Sequence, residues 1–156
     1  MKLAASAERN AKESKKGSSL KHEVYITEAT DTPKDHFIER DGKAYAGTHL
    51  IVDLFGCSKL DCMETMEKAM HDCVDSCKAT LLHIHLHRFT PSGGISGVAV
   101  LAESHISVHT WPERDYAAFD VFMCGDSEPE NAIAVLKRAF NPHDIKVHEE
   151  LRGEFA

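Results

Sequence analysis

From residue 48 onward the chain is dense in apolar side chains whose spacing changes by segment. Residues 48–55, THLIVDLF, read as a strand. Gly56-Cys57-Ser58 reads as a turn, and Ser58, with Asp61 three residues on, as the cap of a helix. Leu60, Met63, Met66, Met70, Cys73, Val74 and Cys77 then recur at spacings of three and four, the stripe of an amphipathic helix. Residues 80–89, TLLHIHLHRF, alternate strictly, with Leu82, Ile84 and Leu86 on one face and His83, His85 and His87 on the other. Pro91-Ser92-Gly93-Gly94 is a turn, and residues 96–102, 106–110 and 116–123 predict three more strands. A second helix is expected over 130–140 behind Pro129, stopped by Asn141-Pro142, with a last strand at 145–147.

The order strand–helix–strand–strand, then strand–strand–helix–strand, predicts an α/β (α+β) two-layer sandwich. Its sheet is mostly antiparallel with helices on one face, built from two βαββ-like halves. The other sheet face is left uncovered, which suggests contact with a second subunit. Residues 1–44 differ in character. They hold Lys15-Lys16-Gly17-Ser18-Ser19 and Asp31-Thr32-Pro33-Lys34-Asp35 and few large aliphatics. They read as a flexible N-terminal extension with at most a short strand at 23–26, and residues 45–156 as a single domain.

Composition narrows the function classes. The length of 156 residues fits one domain, and 42% hydrophobic with 28% charged residues is ordinary for a globular protein. A surplus of 25 acidic over 18 basic side chains, net −7, lacks the basic footprint of nucleic-acid binding. No apolar run is long enough for a membrane span, and the N-terminus lacks the apolar core of a secretory signal. Five cysteines, an odd number without a C-x-x-C pair, point to reduced thiols in the cytoplasm. Four of them lie in or beside the first helical stripe and read as small core residues or exposed bystanders; Cys124 stands apart.

Two stretches offer chemistry. His83, His85 and His87 share one strand face, but successive same-face residues stand about 7 Å apart, too spread to meet on one metal. No metal site is expected from them. The second stretch is residues 95–113, ISGVAVLAESHISVHTWPE. Here Glu103-Ser104-His105 interrupts two apolar strands, His109 follows Ser104 by five residues and Cys124 by twenty. A hydroxyl, an imidazole and a thiol on adjacent strands suit a nucleophilic site, although no G-x-S-x-G elbow is present. A polar turn with incidental His and Cys remains the alternative at this point.

The run HRFTPSGGISGVAVLAESHISVHTWPERDYAAFDVFMCG, with GTHLIVDLFG upstream, closely resembles the prokaryotic S-adenosylmethionine decarboxylase proenzymes. The likeness is strong over residues 47–125 and leaves 1–44 unexplained. It implies self-cleavage between Glu103 and Ser104 into a β chain (1–103) and an α chain (104–156). Ser104 would become a covalent pyruvoyl group, the electron sink for decarboxylating S-adenosylmethionine on the way to spermidine. By the same resemblance His109 assists the elimination, Ser96 steadies the tetrahedral intermediate and Cys124 returns a proton to the substrate carbon. Phe89 and His109 sandwich the adenine, and Glu113 accepts from ribose hydroxyls. A homodimer of processed αβ units, with the site at or near its interface, is implied too. Two alternatives stay open: a pyruvoyl-dependent arginine or ornithine decarboxylase, and an unprocessed binding module without activity.

Overall fold

The structure, a computed structural model, describes residues 36–155. The expected strand at 23–26 and most of the expected extension lie outside the described residues. Strands β1 (Ile38–Arg40) and β2 (Lys43–Tyr45) form a hairpin whose two turn residues, Asp41 and Gly42, both have positive φ. That turn fits the right-handed twist of paired strands. The hairpin lies within the stretch read as an extension, because a D-G turn and three-residue strands carry almost no hydrophobic signal.

The main sheet comprises β3 (Gly47–Phe55), β4 (Leu81–Arg88), β5 (Ile95–Leu101), β6 (His105–Trp111), β7 (Tyr116–Cys124) and β8 (Asp144–Arg152). Their order is β4-β5-β6-β7-β3-β8, and every neighbouring pair is antiparallel. Helix α1 (Met63–Ser76) joins β3 to β4, and α2 (Asn131–Phe140) joins β7 to β8. The chain is thus a βαββ unit followed by a ββαβ unit, with β3 of the first inserted between β7 and β8 of the second.

Alternation sorts the sheet into two faces. Leu50, Val52 and Leu54 of β3, Ile106 and Val108 of β6, and Phe119, Val121 and Met123 of β7 are buried beneath the helices. Met66, Met70, Cys73 and Val74 of α1 and Val135, Leu136 and Phe140 of α2 complete that core. Cys57, Cys73 and Cys77 belong to it, and burial pushes all three thiols up, Cys57 and Cys77 to about 11. They are packing residues with no reactive thiolate.

Two boundaries differ from expectation. α1 starts at Met63 without a side-chain cap; Ser58 instead gives both its N–H (2.8 Å) and its hydroxyl (3.3 Å) to the Phe140 carbonyl. That bond ties the β3–α1 loop to the end of α2. β8 runs to Arg152, because an exposed edge strand can carry His148, Glu149 and Glu150 on a ladder with β3. No described helix is long and apolar enough to cross a membrane.

Candidate active site

Ser104 sits where β5 turns into β6, and it is buried, at 8% exposure. Ala102 and Glu103 form the two-residue turn, closed by Leu101 N–H to Ser104 O (2.9 Å) and Ser104 N–H to Leu101 O (3.4 Å). Glu103 takes φ +69°, a left-handed conformation that strains a non-glycine residue by roughly 1–2 kcal/mol. Ala102 N–H donates to Thr80 O at 2.9 Å, which fixes the turn to the start of β4. The Ser104 hydroxyl oxygen accepts the Cys124 N–H at 3.0 Å. Cys124 closes β7 opposite Gly47, where a Cβ would meet Met123 O at 2.6 Å and the Phe122 ring at 2.8 Å. Only glycine lets β3 approach so near the Cys124 end.

The Cys124 thiol is pushed above its ordinary range, first by burial and then by the Glu103 carboxylate, with a hydrogen bond to Ser104 acting against both. It is therefore held as a thiol at neutral pH, able to give a proton and poor as a nucleophile.

Ser96 and His109 are direct partners across β5 and β6, and Ser96 Oγ lies 2.8 Å from His109 Nδ1. His109 is exposed, with the Trp111 ring 6.2 Å away; Trp111 stacks on Tyr116 and Tyr116 on Phe55, each at 5.2 Å. Tyr116 donates to Asp53 at 2.5 Å, which, with burial, raises its phenol to about 12. His87, opposite Ser96, packs edge-on against Phe89 at 4.6 Å, and Phe89 is 48% exposed. Glu113 is exposed on the 3-10 turn Pro112–Arg114 beyond β6. This end is braced from the helix side by buried Thr110, whose hydroxyl accepts Ile95 N–H (2.7 Å) and donates to Leu60 O (3.0 Å). Gly94 allows that brace, since a Cβ there would meet Thr110 O at 2.8 Å.

The candidate residues thus fall into two groups. Ser104, Glu103 and Cys124 are together at one end of β6; Ser96 and His109 meet at the other end, with Phe89 and Glu113 beyond the strand ends on that side. Five residues of extended chain separate Ser104 from His109, about 16 Å, so a single copy does not bring all of them to one point. Between the groups lies a polar chain absent from the sequence reading. Asp120 accepts from Ser107 (3.1 Å) and pairs with His49 (3.0 Å), and the other His49 nitrogen lies 3.4 Å from Arg152. Asp120, the single acid inside FDVF, is its clearest trace in the sequence. Among the described residues no three His, Cys, Asp or Glu side chains converge as metal ligands.

The site is a buried serine at a left-handed turn, beside a thiol, at the edge of an all-antiparallel sheet under two helices. The sequence model of the S-adenosylmethionine decarboxylase family matches residues 48–153, and the chain belongs to that family. The S-adenosylmethionine decarboxylase proenzyme of Thermomicrobium roseum is 45% identical over 108 residues, covering 69% of this chain and 93% of that one. The proenzyme of Methanococcus aeolicus is 46% identical over 112 residues, 70% and 95% of the two chains. The crystal structure of the adenosylmethionine decarboxylase of Aquifex aeolicus VF5 superposes with a TM-score of 0.64 at 32% identity, over 72% of this chain and 94% of that one.

Proposed function

We propose that this chain cleaves itself between Glu103 and Ser104 and, once cleaved, decarboxylates S-adenosylmethionine. The observation that carries the reading is Ser104, a buried hydroxyl at a strained turn, held by a main-chain N–H and beside the Cys124 thiol. The names of the relatives, decarboxylase proenzymes, support the same activity.

The cleavage uses only the chain and water. Ser104 Oγ gives up its proton and adds to the Glu103 carbonyl carbon; the C–N bond breaks and the nitrogen takes a proton, leaving an ester. A base removes the Cα proton of residue 104, the Glu103 carboxylate departs, and the chain divides into 1–103 and 104–156. Water then replaces the nitrogen of the dehydroalanine, releasing ammonia and leaving a pyruvoyl group. That group fits the site in size: it is no larger than the buried serine it replaces, its methyl carbon being the serine Cβ and its keto oxygen taking the place of the main-chain nitrogen. When formed there, it supplies the electron sink that α-decarboxylation requires. His109 serves as the base for the Cα proton, and Ser96 steadies the tetrahedral oxygen. Cys124 holds the proton that returns to the substrate carbon. Phe89 and His109 offer ring faces to the adenine, and Glu113 accepts from the ribose.

The two groups meet across a homodimer. A two-fold axis between two open faces, perpendicular to β6, sets the partner strand antiparallel, so one copy's Ser104 lies against the other's His109. Ile51, Val100, Trp111 and Phe89, all 39–48% exposed on the open face, supply the apolar surface that such packing covers.

Freshly purified protein should run as two chains of about 6 and about 11 kDa, at roughly 110 Da per residue, the smaller without a free amino terminus. Ser104→Ala should give one chain. The processed enzyme should release CO2 from S-adenosylmethionine and far less from arginine or ornithine. Division of the Ser104→Ala chain, or preference for either amino acid, would refute the reading.

A further inference from the structure

Residues 36 and 37 lead into the hairpin along the Ser104 end of the sheet, upstream of residue 48, where the match to the family begins. His36 touches the proposed cleavage site twice. Its Nε2 lies 3.0 Å from Glu103 Oε1, and its carbonyl accepts the Gly125 N–H at 3.0 Å. Two consecutive N–H groups at the end of β7 therefore divide their work: Cys124 N–H holds the Ser104 hydroxyl, and Gly125 N–H holds His36. The His36 ring in turn holds the side chain of the residue whose carbonyl Ser104 must reach.

We infer that His36 is a positioning residue for self-cleavage, acting through Glu103; this rests on the cleavage reading above. Glu103 is a non-glycine residue at φ +69°, and such a conformation persists only when its surroundings over-determine it. The ladder bonds of Leu101 and Ser104 fix the backbone on either side of Glu103, and Ala102 is tied to Thr80. His36 is the contact that fixes the Glu103 side chain from outside the turn, and its own main chain is anchored to the strand that carries Cys124. The scissile bond is thereby framed between β7 and a segment that the family match does not include. His36 touches neither the nucleophile nor the substrate, so its effect falls on the rate at which the turn reaches the attacking geometry.

The test is the rate of chain division after a short pulse of cell-free synthesis, followed on denaturing gels. His36→Ala should slow division about fivefold, the ceiling for a half-exposed ion pair. His36→Phe keeps the ring and loses the donor, and should be as slow as His36→Ala. His36→Gln keeps a donor and should stay within twofold of the parent. A purely packing role gives the reverse order, with Phe restoring the rate and Gln not, and that order overturns the inference. So does a His36→Ala chain that divides within twofold of the parent. The Phe and Gln variants decide the matter even where Ala lowers folding yield. A parent chain that never divides removes the cleavage reading along with this one, whereas a parent that divides beside an unaffected His36→Ala removes His36 alone.

Discussion

At one end of β6 Ser104 is 8% exposed, caught between a left-handed Glu103 and a main-chain N–H. At the other end His109 is exposed among rings, sharing a hydrogen bond with Ser96. The first end is made of backbone: a two-residue turn, a ladder bond, a glycine that lets strands close in. The second is made of side chains on a pleated surface, with Phe89, His87, Trp111 and Tyr116 facing outward. A buried strained turn suits breaking the chain's own peptide bond, while an open aromatic surface suits receiving a planar ligand. One strand keeps the two apart by its length, and the proposed homodimer would join them.

The largest effect tests that division. Ser104→Ala and His109→Ala homodimers should each give almost no divided chain. Co-expressed, they form mixed dimers in which one of the two sites takes an intact Ser104 from one copy and an intact His109 from the other. The His109→Ala chain should then be cut, to about a quarter of all sites if subunits pair at random. Mass spectrometry of a tagged chain reads this directly. No cutting in the mixture would place both groups of residues in the same copy's reaction and would break the comparison.

A smaller effect separates cleavage from turnover at the buried end. Cys124 supplies its N–H to Ser104 whatever its side chain, so Cys124→Ala should still yield some divided chain. Its thiol, pushed up by burial and by Glu103, is the proposed proton donor in turnover. CO2 release per divided chain should fall about 10²-fold, the usual order for one general acid. Residue 104 should also be converted to alanine faster than in the parent during incubation with S-adenosylmethionine. Near-parental turnover would assign the proton to another group.

Much of this was legible before any coordinates. The three-and-four stripe from Met63 to Cys77 marked α1, and alternation marked β4 and its histidine face, except at Leu82, which is exposed where the β4–β5 register shifts between Leu81 and His83. Glu103-Ser104-His105 between apolar runs marked the turn. Where the sequence misled, the cause is local. Ser58 was available as a cap, but tertiary packing against Phe140 used its hydroxyl instead. β8 was expected to be short because Glu149 and Glu150 belong to an edge that solvent tolerates. Convergence of hydroxyl, imidazole and thiol was plausible from adjacency of strands, yet position along β6 matters as much as adjacency. The His49–Asp120–Ser107 chain and His36–Glu103 depend on register and on a crossing segment, which no spacing reveals.

The smallest expected effect concerns His105, the first residue of β6 and the neighbour of Ser104. Its pKa is lowered from the ordinary value near 6.5, mainly by burial, then by His49 on β3; Asp120 on β7 opposes the shift and Arg152 on β8 adds to it. Phe122 of β7, directly opposite in the ladder, packs against it at 5.6 Å and contributes no charge. Folding therefore disfavours the protonated ring. The sign follows from proton counting: near and below pH 6.5 the unfolded chain binds more protons at this residue than the folded chain, so stability falls as pH falls through that value. The loss stops growing once the pH is below the folded value, where both states are protonated. His105→Gln removes this contribution and leaves those of the other histidines in place. In a Ser104→Ala background, which keeps the chain whole, the thermal midpoint between pH 7.5 and 5.5 should fall less in His105→Gln than in the protein that keeps His105. Parallel slopes in the two proteins would mean that His105 titrates alike folded and unfolded. The electrostatic contrast between the two ends of β6 would then rest on the Cys124 thiol at one and the Tyr116 phenol at the other.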